Sequence, residues 1–282
     1  MSAPRRFLTI WLAAIAVAMI IVAVVAVSGR LDRAHLAAVS GFEVVLMAVL
    51  VLPFAGVWGW KAAALFGPVD AGSAAWRMLA IGTIPLALGQ VIGYLPSALV
   101  LGSIEPVAVV LGQLLPATFR ILLIVALWRM LRAYRETGIG FHLKTIDKLV
   151  MAVVGVVTIV LFTRADVLFT YWTANSELSE SARFVMTSAQ MFNFLLYPIV
   201  LFLSLSMARF ALQMGGGLVA RAWGAVALYG LLQPMHVFVI AMCYGAVGPL
   251  LTVTFDNFIV LAAFGALAVG PMFQVEAAEV RR

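Results

Sequence analysis

Long apolar runs alternate with short polar segments along almost the whole chain. Each run holds about 20 residues or more, which is the length an α-helix needs to cross the hydrocarbon core of a bilayer. Glycine and proline inside the runs do not argue against this, because membrane-spanning helices tolerate them. The pattern predicts an all-α polytopic membrane protein with eight transmembrane helices. The predicted spans are 7–27, 41–60, 78–101, 105–128, 149–172, 184–207, 223–247 and 250–273.

The first run follows Arg5 and Arg6, the position in which a signal peptide would lie. Its apolar stretch of about 20 residues is longer than the roughly 7–15 residues of a signal peptide's apolar region. We therefore expect a retained membrane helix, with cleavage near Ser28 as the alternative.

Composition supports lipid as the main solvent of this chain. Of its 282 residues, 65% are hydrophobic and 11% are charged, whereas a soluble domain is about half apolar and a quarter charged. Soluble enzymes, nucleic-acid binders and disordered scaffolds are therefore excluded as classes. One cysteine, Cys243, cannot build a disulfide framework or a thiolate metal cluster within one chain. With only three histidines, bis-histidine haem ligation is hard to build. We expect no metal and no cofactor.

The positions of the basic residues predict the orientation. With the N-terminus on the cytoplasmic side, thirteen Lys or Arg residues fall in segments on that side and three in segments on the other. Positive charge collects on the cytoplasmic side of membrane proteins, so both termini are expected to be cytoplasmic, in a bacterial inner membrane. The thirteen are Arg5, Arg6, Lys61, Arg77, Arg129, Arg132, Arg135, Lys144, Lys148, Arg209, Arg221, Arg281 and Arg282; the three are Arg30, Arg33 and Arg183.

The two halves of the sequence are similar. Residues 51–76 and 196–223 each contain a proline in a helix, a glycine-containing loop and an Ala-Trp pair that opens the next span. We interpret 1–282 as one transmembrane domain with a 4+4 parallel repeat, 1–135 and 145–282, joined by the basic segment 129–148. The alternative is that apolar, proline-containing helices resemble each other by chance.

Ionisable and amide side chains within the spans are the candidate ligand-binding groups, since an ionised side chain in a span costs at least about 2.5–3.5 kcal/mol. Most of them lie in the outer halves of the predicted helices, and Gln233 and His236 share one face of the seventh. One interpretation is a pocket that opens outward; the other is an internal ion-pair network. The candidates are Arg164, Asp166, Gln233, His236, Asp256 and Asn257. Arg120, in the fourth span, either extends to the cytoplasmic face or pairs inside the bundle.

No catalytic signature is present. The sequence has no HExxH helix, no GxSxG elbow and no Walker loop. We therefore expect a protein that is not an enzyme.

Two surfaces are candidates for contacts with other proteins. The basic segment is expected to dock a cytoplasmic partner through Arg129, Arg132, Arg135, Lys144 and Lys148. Small residues that allow close helix approach, among them Gly82, Gly89 and Gly93, serve either the bundle or a homo-oligomer.

The second half resembles the multi-span membrane sensor modules that precede bacterial histidine kinases and diguanylate cyclases. The residues that carry the resemblance are Leu196-Tyr197-Pro198, Ala222-Trp223 and Asp256. Family members usually carry an acidic residue soon after Tyr-Pro and another in the middle of the next helix. This chain has Val200 and His236 in those regions. The resemblance implies an input module that signals through another protein.

The leading functional interpretation is a non-enzymatic sensor or regulatory protein with an outward-facing pocket. A small secondary transporter with a midplane site near Gln90, Gln233 and His236 is the first alternative. A structural subunit of a membrane complex is the second.

Overall fold

A computed structural model describes residues 2–27, 33–67, 69–98, 106–136, 138, 142–168, 179–243 and 249–280. Within these residues the chain forms eight long helices. Their bounds are α1 Ala3–Val27, α2 Arg33–Ala63, α3 Ala71–Ala98, α4 Pro106–Arg135, α5 Thr145–Thr163, α6 Glu180–Gln213, α7 Gly217–Cys243 and α8 Pro249–Glu279.

All eight helices contain a stretch that is long and apolar enough to cross a membrane. These stretches run from 19 residues in α5 to 31 residues in α6, and about 20 residues suffice to span the hydrocarbon. The predicted all-α polytopic fold is therefore confirmed, and the protein is an integral membrane protein. We call the side of the bundle on which α2, α4 and α6 end and α3, α5 and α7 begin the basic face.

The helix contacts follow the same order in both halves. In the first half α2 packs on α3 and α3 on α4, and in the second α6 packs on α7 and α7 on α8. Between the halves, α2 packs on α8 and α4 packs on α6. The first helix of each three-helix group therefore contacts the last helix of the other group. Helix α1 lies against α8, and α5 lies against α6 and α7. An internal repeat would produce this arrangement, although the repeat itself stays a prediction.

The two Ala-Trp pairs meet inside the bundle. Trp76 and Trp223 stack with their ring centroids 4.6 Å apart, and both side chains are fully buried. Because each tryptophan lies in the second turn of its helix, this contact joins α3 and α7 near the basic face. Both tryptophans are therefore buried between helices and do not lie on the lipid-facing surface.

The glycines of α3 lie inside the protein. A methyl group added at Gly89 would overlap Pro116 on α4, and Gly93 lies directly against Gly112. Such small residues let helix backbones approach closely. This face of α3 therefore serves the bundle.

Helix α5 lies closer to the basic face than the predicted span 149–172. It begins at Thr145, where the Asp147 carboxylate accepts a hydrogen bond from the backbone N–H of Lys144 at 2.8 Å. It ends at Thr163, followed by a turn at Arg164 and a helical segment over 165–168. The charged residues 144–148 were interpreted as loop, yet they form the capped first turn of the helix. Residues 169–172 of the predicted span lie outside the described part of the chain.

Gly265→Ala should destabilise the protein. A methyl group there would overlap the indole of Trp11, whose Nε1–H donates a 2.9 Å hydrogen bond to the Leu261 carbonyl. The indole can move only by losing that bond, so we expect a loss of about 1–3 kcal/mol. Thermal unfolding in detergent measures it.

Gly224→Ala is the matched control, because beyond the adjacent residues and the backbone of its own helix no atom lies within 4 Å of the added methyl group. Alanine also has a higher helix propensity than glycine, so this variant should melt at the wild-type temperature or slightly above it. Equal melting temperatures for the two variants would contradict the prediction.

Candidate functional site

Arg120 lies near the middle of α4, about 15 residues from either end, and its side chain points into the bundle with 5% of its surface exposed. The guanidinium donates one hydrogen bond to Asn193 Oδ1 on α6 and a second, 2.9 Å long, to Gln233 Oε1 on α7. Of the two alternatives for Arg120, pairing inside the bundle is therefore confirmed.

Neutral groups surround this cation. The guanidinium carbon lies 4.6 Å from the centroid of the Tyr197 ring, which stabilises a positive charge through the electrons of its face. Asn193 also donates to the backbone carbonyl of Gln113 at 3.2 Å, which fixes the direction of its amide. Within the described residues no carboxylate comes within ion-pair distance of Arg120. The charge is thus solvated by amide dipoles and an aromatic face.

Several polar atoms of this region have no hydrogen-bond partner in the described structure. They are Nε of Arg120 and both amide atoms of Gln190. The Tyr229 hydroxyl lies close to Arg120, and Gln190 is fully buried one turn from Asn193 on α6. Buried polar groups are almost always paired, so these atoms mark where a polar ligand would find partners.

Helix periodicity explains why these side chains converge. Residues 190, 193 and 197 of α6 are three and four apart and share one face, and residues 229, 233 and 236 of α7 do the same. We call Arg120, Asn193, Tyr197, Tyr229 and Gln233 the Arg120 cluster.

A second polar contact lies next to this cluster. Nδ1 of His236 on α7 is 2.8 Å from Oδ1 of Asp256 on α8, and the Asp256 side chain is buried. Tyr197 lies within electrostatic range of both Arg120 and Asp256. Because Gln233 and His236 are one turn apart, α7 contacts α4 through the first and α8 through the second.

The structure brings together some of the predicted ligand-binding residues. Gln233, His236 and Asp256 lie in or beside the Arg120 cluster, and Asn257 is buried next in the chain to Asp256. Arg164 and Asp166 are exposed at the end of α5, outside the buried polar groups.

Sequence reasoning did not select Asn193, Tyr197 or Tyr229 as site residues. The polar spacing on α6 was a signal that could have found the first two. Helix α7 continues from Gly217 to Cys243 through Pro234, which follows Gln233 in the chain. Gly230, a neighbour of Pro234 on this helix, lies against the backbone of Leu201 on α6, so tight packing surrounds this turn.

The predicted docking residues lie along the basic face. Arg129, Lys144 and Lys148 are exposed there. Arg132 pairs with Glu136 at 3.5 Å on the surface of α4. Arg135, the fifth of these residues, ends α4.

The Asp147–Arg209 pair links α5 to α6. Asp147 accepts two hydrogen bonds of 2.7 Å from the Arg209 guanidinium, and its carboxylate is almost fully buried.

Comparison of the chain with protein-family models, with curated proteins and with solved structures finds no match in any of the three. The interpretation of the site therefore depends on its own geometry.

A double-mutant cycle should give a favourable coupling between Asp147 and Arg209. Asp147→Asn, Arg209→Gln and the double variant are compared by reversible unfolding in mixed micelles. We expect a coupling energy of about 1–3 kcal/mol, because a two-pronged, partly buried pair is stronger than an exposed one.

Arg132 and Glu136 provide the matched control, since their side chains are 76% and 69% exposed. Exposed pairs four apart on a helix contribute only about 0.3–0.5 kcal/mol. The prediction fails if the two cycles give the same coupling energy.

Proposed function

We propose that this protein is a non-enzymatic membrane sensor or regulatory protein that binds a small organic or inorganic anion at the Arg120 cluster. The observation that carries the proposal is the double attachment of α7. Gln233 accepts a hydrogen bond from Arg120, and His236, one turn away, contacts Asp256 of α8. A ligand that changes the first contact would alter the second.

The charge of the cluster selects the ligand class. Arg120 is a buried cation with no carboxylate of the described residues within ion-pair distance, and its Nε–H has no acceptor there. A carboxylate or phosphate accepts paired hydrogen bonds from a guanidinium and would remove part of the cost of a charge in the membrane. The Gln190 amide, which has no partner in the described structure, offers a further donor.

Helix connectivity supports a signalling role. Helix α8 runs from Pro249 to Glu279 at the basic face, and most of its membrane-spanning stretch is buried against other helices. A shift of α7 relative to α8 would therefore be transmitted to the side on which Arg129, Arg132 and Lys148 are exposed. We place the docking of a signalling partner there, as the resemblance to sensor modules implies.

Ligand binding at Arg120 should raise the melting temperature of the purified protein. The probes are acetate, succinate and inorganic phosphate, each titrated in detergent and followed by tryptophan fluorescence. Stabilisation equals RT ln(1 + [L]/Kd), so a probe at 100 times its Kd contributes about 2.7 kcal/mol. Arg120→Lys keeps the positive charge but loses the two-pronged guanidinium. We therefore expect the Kd of the stabilising probe to rise at least tenfold.

Arg164→Gln is the control, because it removes an exposed arginine from the end of α5. It should leave the response unchanged. The proposal is wrong if no probe stabilises the wild type, or if both variants weaken the response equally.

The sensor readout can be tested separately from binding. Hydrogen exchange of the segment 270–280 should change when the stabilising anion is added to the wild type. In Asp256→Asn the contact between α7 and α8 is weakened, so the anion should still bind while the exchange change is lost. Unchanged exchange in the wild type would contradict the sensor role.

One observation favours a secondary transporter as a second candidate. Arg120 belongs to the first half of the chain, and its partners Asn193 and Gln233 belong to the second, so the cluster lies between the two halves near mid-helix. Transporter sites lie at such positions. Counterflow of the stabilising anion in proteoliposomes distinguishes the two, since only a transporter exchanges labelled anion.

A further inference from the structure

A groove of about 410 Å³ lies between α4, α5 and α6, and no residue of the Arg120 cluster lines it. Every residue that lines it is apolar, including Ile124 and Trp128 of α4, Met151 of α5, and Ile199 and Phe202 of α6. Its volume falls in the range of small-molecule sites, about 300–1,000 Å³.

The groove opens towards the membrane. Trp128 is 53% exposed and Ile199 is 43% exposed, and both belong to helical stretches that span the hydrocarbon. The walls provide no hydrogen-bonding side chain other than the indole of Trp128. An occupant in this position must therefore be apolar where it contacts α4 and α6, as a lipid acyl chain is.

Basic side chains continue both walls towards the basic face. On α4, Arg132 follows Trp128 by one turn, and on α5, Lys148 precedes Met151 by one turn, so each lies on the groove side of its helix. Lys144 lies a further turn along α5, at the start of the helix.

Few acidic groups counter this charge. Asp147 directs its carboxylate to Arg209, which leaves Lys148 without that counter-ion. Glu136 pairs with Arg132, at 3.5 Å and in an exposed position. The mouth of the groove is therefore positively charged where the headgroup of a lipid would lie.

We propose that this groove binds an anionic glycerophospholipid. One acyl chain lies between α4 and α6, and the phosphate lies at the mouth, between Arg132 and Lys148. Basic pockets between membrane helices recognise anionic headgroups in this way. The apolar walls favour a phospholipid over free phosphate.

The test measures lipid binding to the whole protein by native mass spectrometry, with phosphatidylglycerol and phosphatidylcholine as probes. Phosphatidylglycerol should bind at least tenfold more tightly than phosphatidylcholine. The double variant Arg132→Gln, Lys148→Gln should weaken phosphatidylglycerol binding by about 10- to 30-fold. Inorganic phosphate at millimolar concentration should not displace the lipid.

The double variant Arg6→Gln, Lys61→Gln is the matched control. It removes the same net charge from exposed positions on α1 and α2, which do not contact α5, and it should bind lipid as the wild type does. Equal weakening in the two double variants would show general surface attraction and overturn the proposal. Equal binding of the two lipids, or displacement by phosphate, would also overturn it.

The apolar half of the site has its own test. Ile199→Trp fills the groove and should weaken phosphatidylglycerol binding about tenfold. Ile159→Trp places the same side chain on the exposed side of α5, outside the groove, and should have no effect. Wild-type binding by Ile199→Trp would contradict the acyl-chain position. Gel filtration verifies the folding of each variant. If Ile199→Trp misfolds, the charge variants still test the proposal, because they leave the apolar packing intact.

Discussion

The positive charge of Arg120 is the constraint on which the centre of this bundle depends. An arginine near mid-membrane costs about 2.5–3.5 kcal/mol even on insertion scales, so its guanidinium must find dipoles within the protein. It finds them on two other helices, in the amides of Asn193 and Gln233. These contacts fix the rotation of α6 and α7 relative to α4, because a turn of about 100° in either helix would remove the amide oxygen from reach.

Around this constraint the remaining contacts are mostly close apolar packing. Gly89 against Pro116 draws α3 to α4, and Gly230 against Leu201 draws α7 to α6. In lipid no hydrophobic force drives helices together, so packing and interhelical hydrogen bonds must do so. Helix α5 packs on α6 and α7 through buried apolar residues such as Val157 and Leu161, and the Asp147–Arg209 pair adds a polar contact that holds its basic end to α6.

The number of helices and the fold class follow directly from the sequence. The thickness of the hydrocarbon core sets the length of a spanning helix, and each apolar run of that length predicts one helix. The ends of the helices were harder to predict. Lys144 and Asp147 are polar enough to suggest a loop, yet they form a capped first turn at the edge of the membrane. The contacts at the centre of the site could not be predicted from the sequence, for another reason. The partners of Arg120 are 73 and 113 residues away along the chain, and a sequence pattern reports only neighbours on one helix. Gln233 and His236 share a helix face, and they were recognised.

The hydrogen bond between Trp11 and Leu261 spans 250 residues, and it joins the first described helix to the last. During synthesis α1 is made before α8, so the Trp11 indole has no Leu261 carbonyl to donate to at that stage. The notch at Gly265 that receives it is part of α8. The contact between α1 and α8 can therefore form only after α8 has been inserted, whereas the stacked rings of Phe7 and Phe54 let α1 pack on α2 earlier.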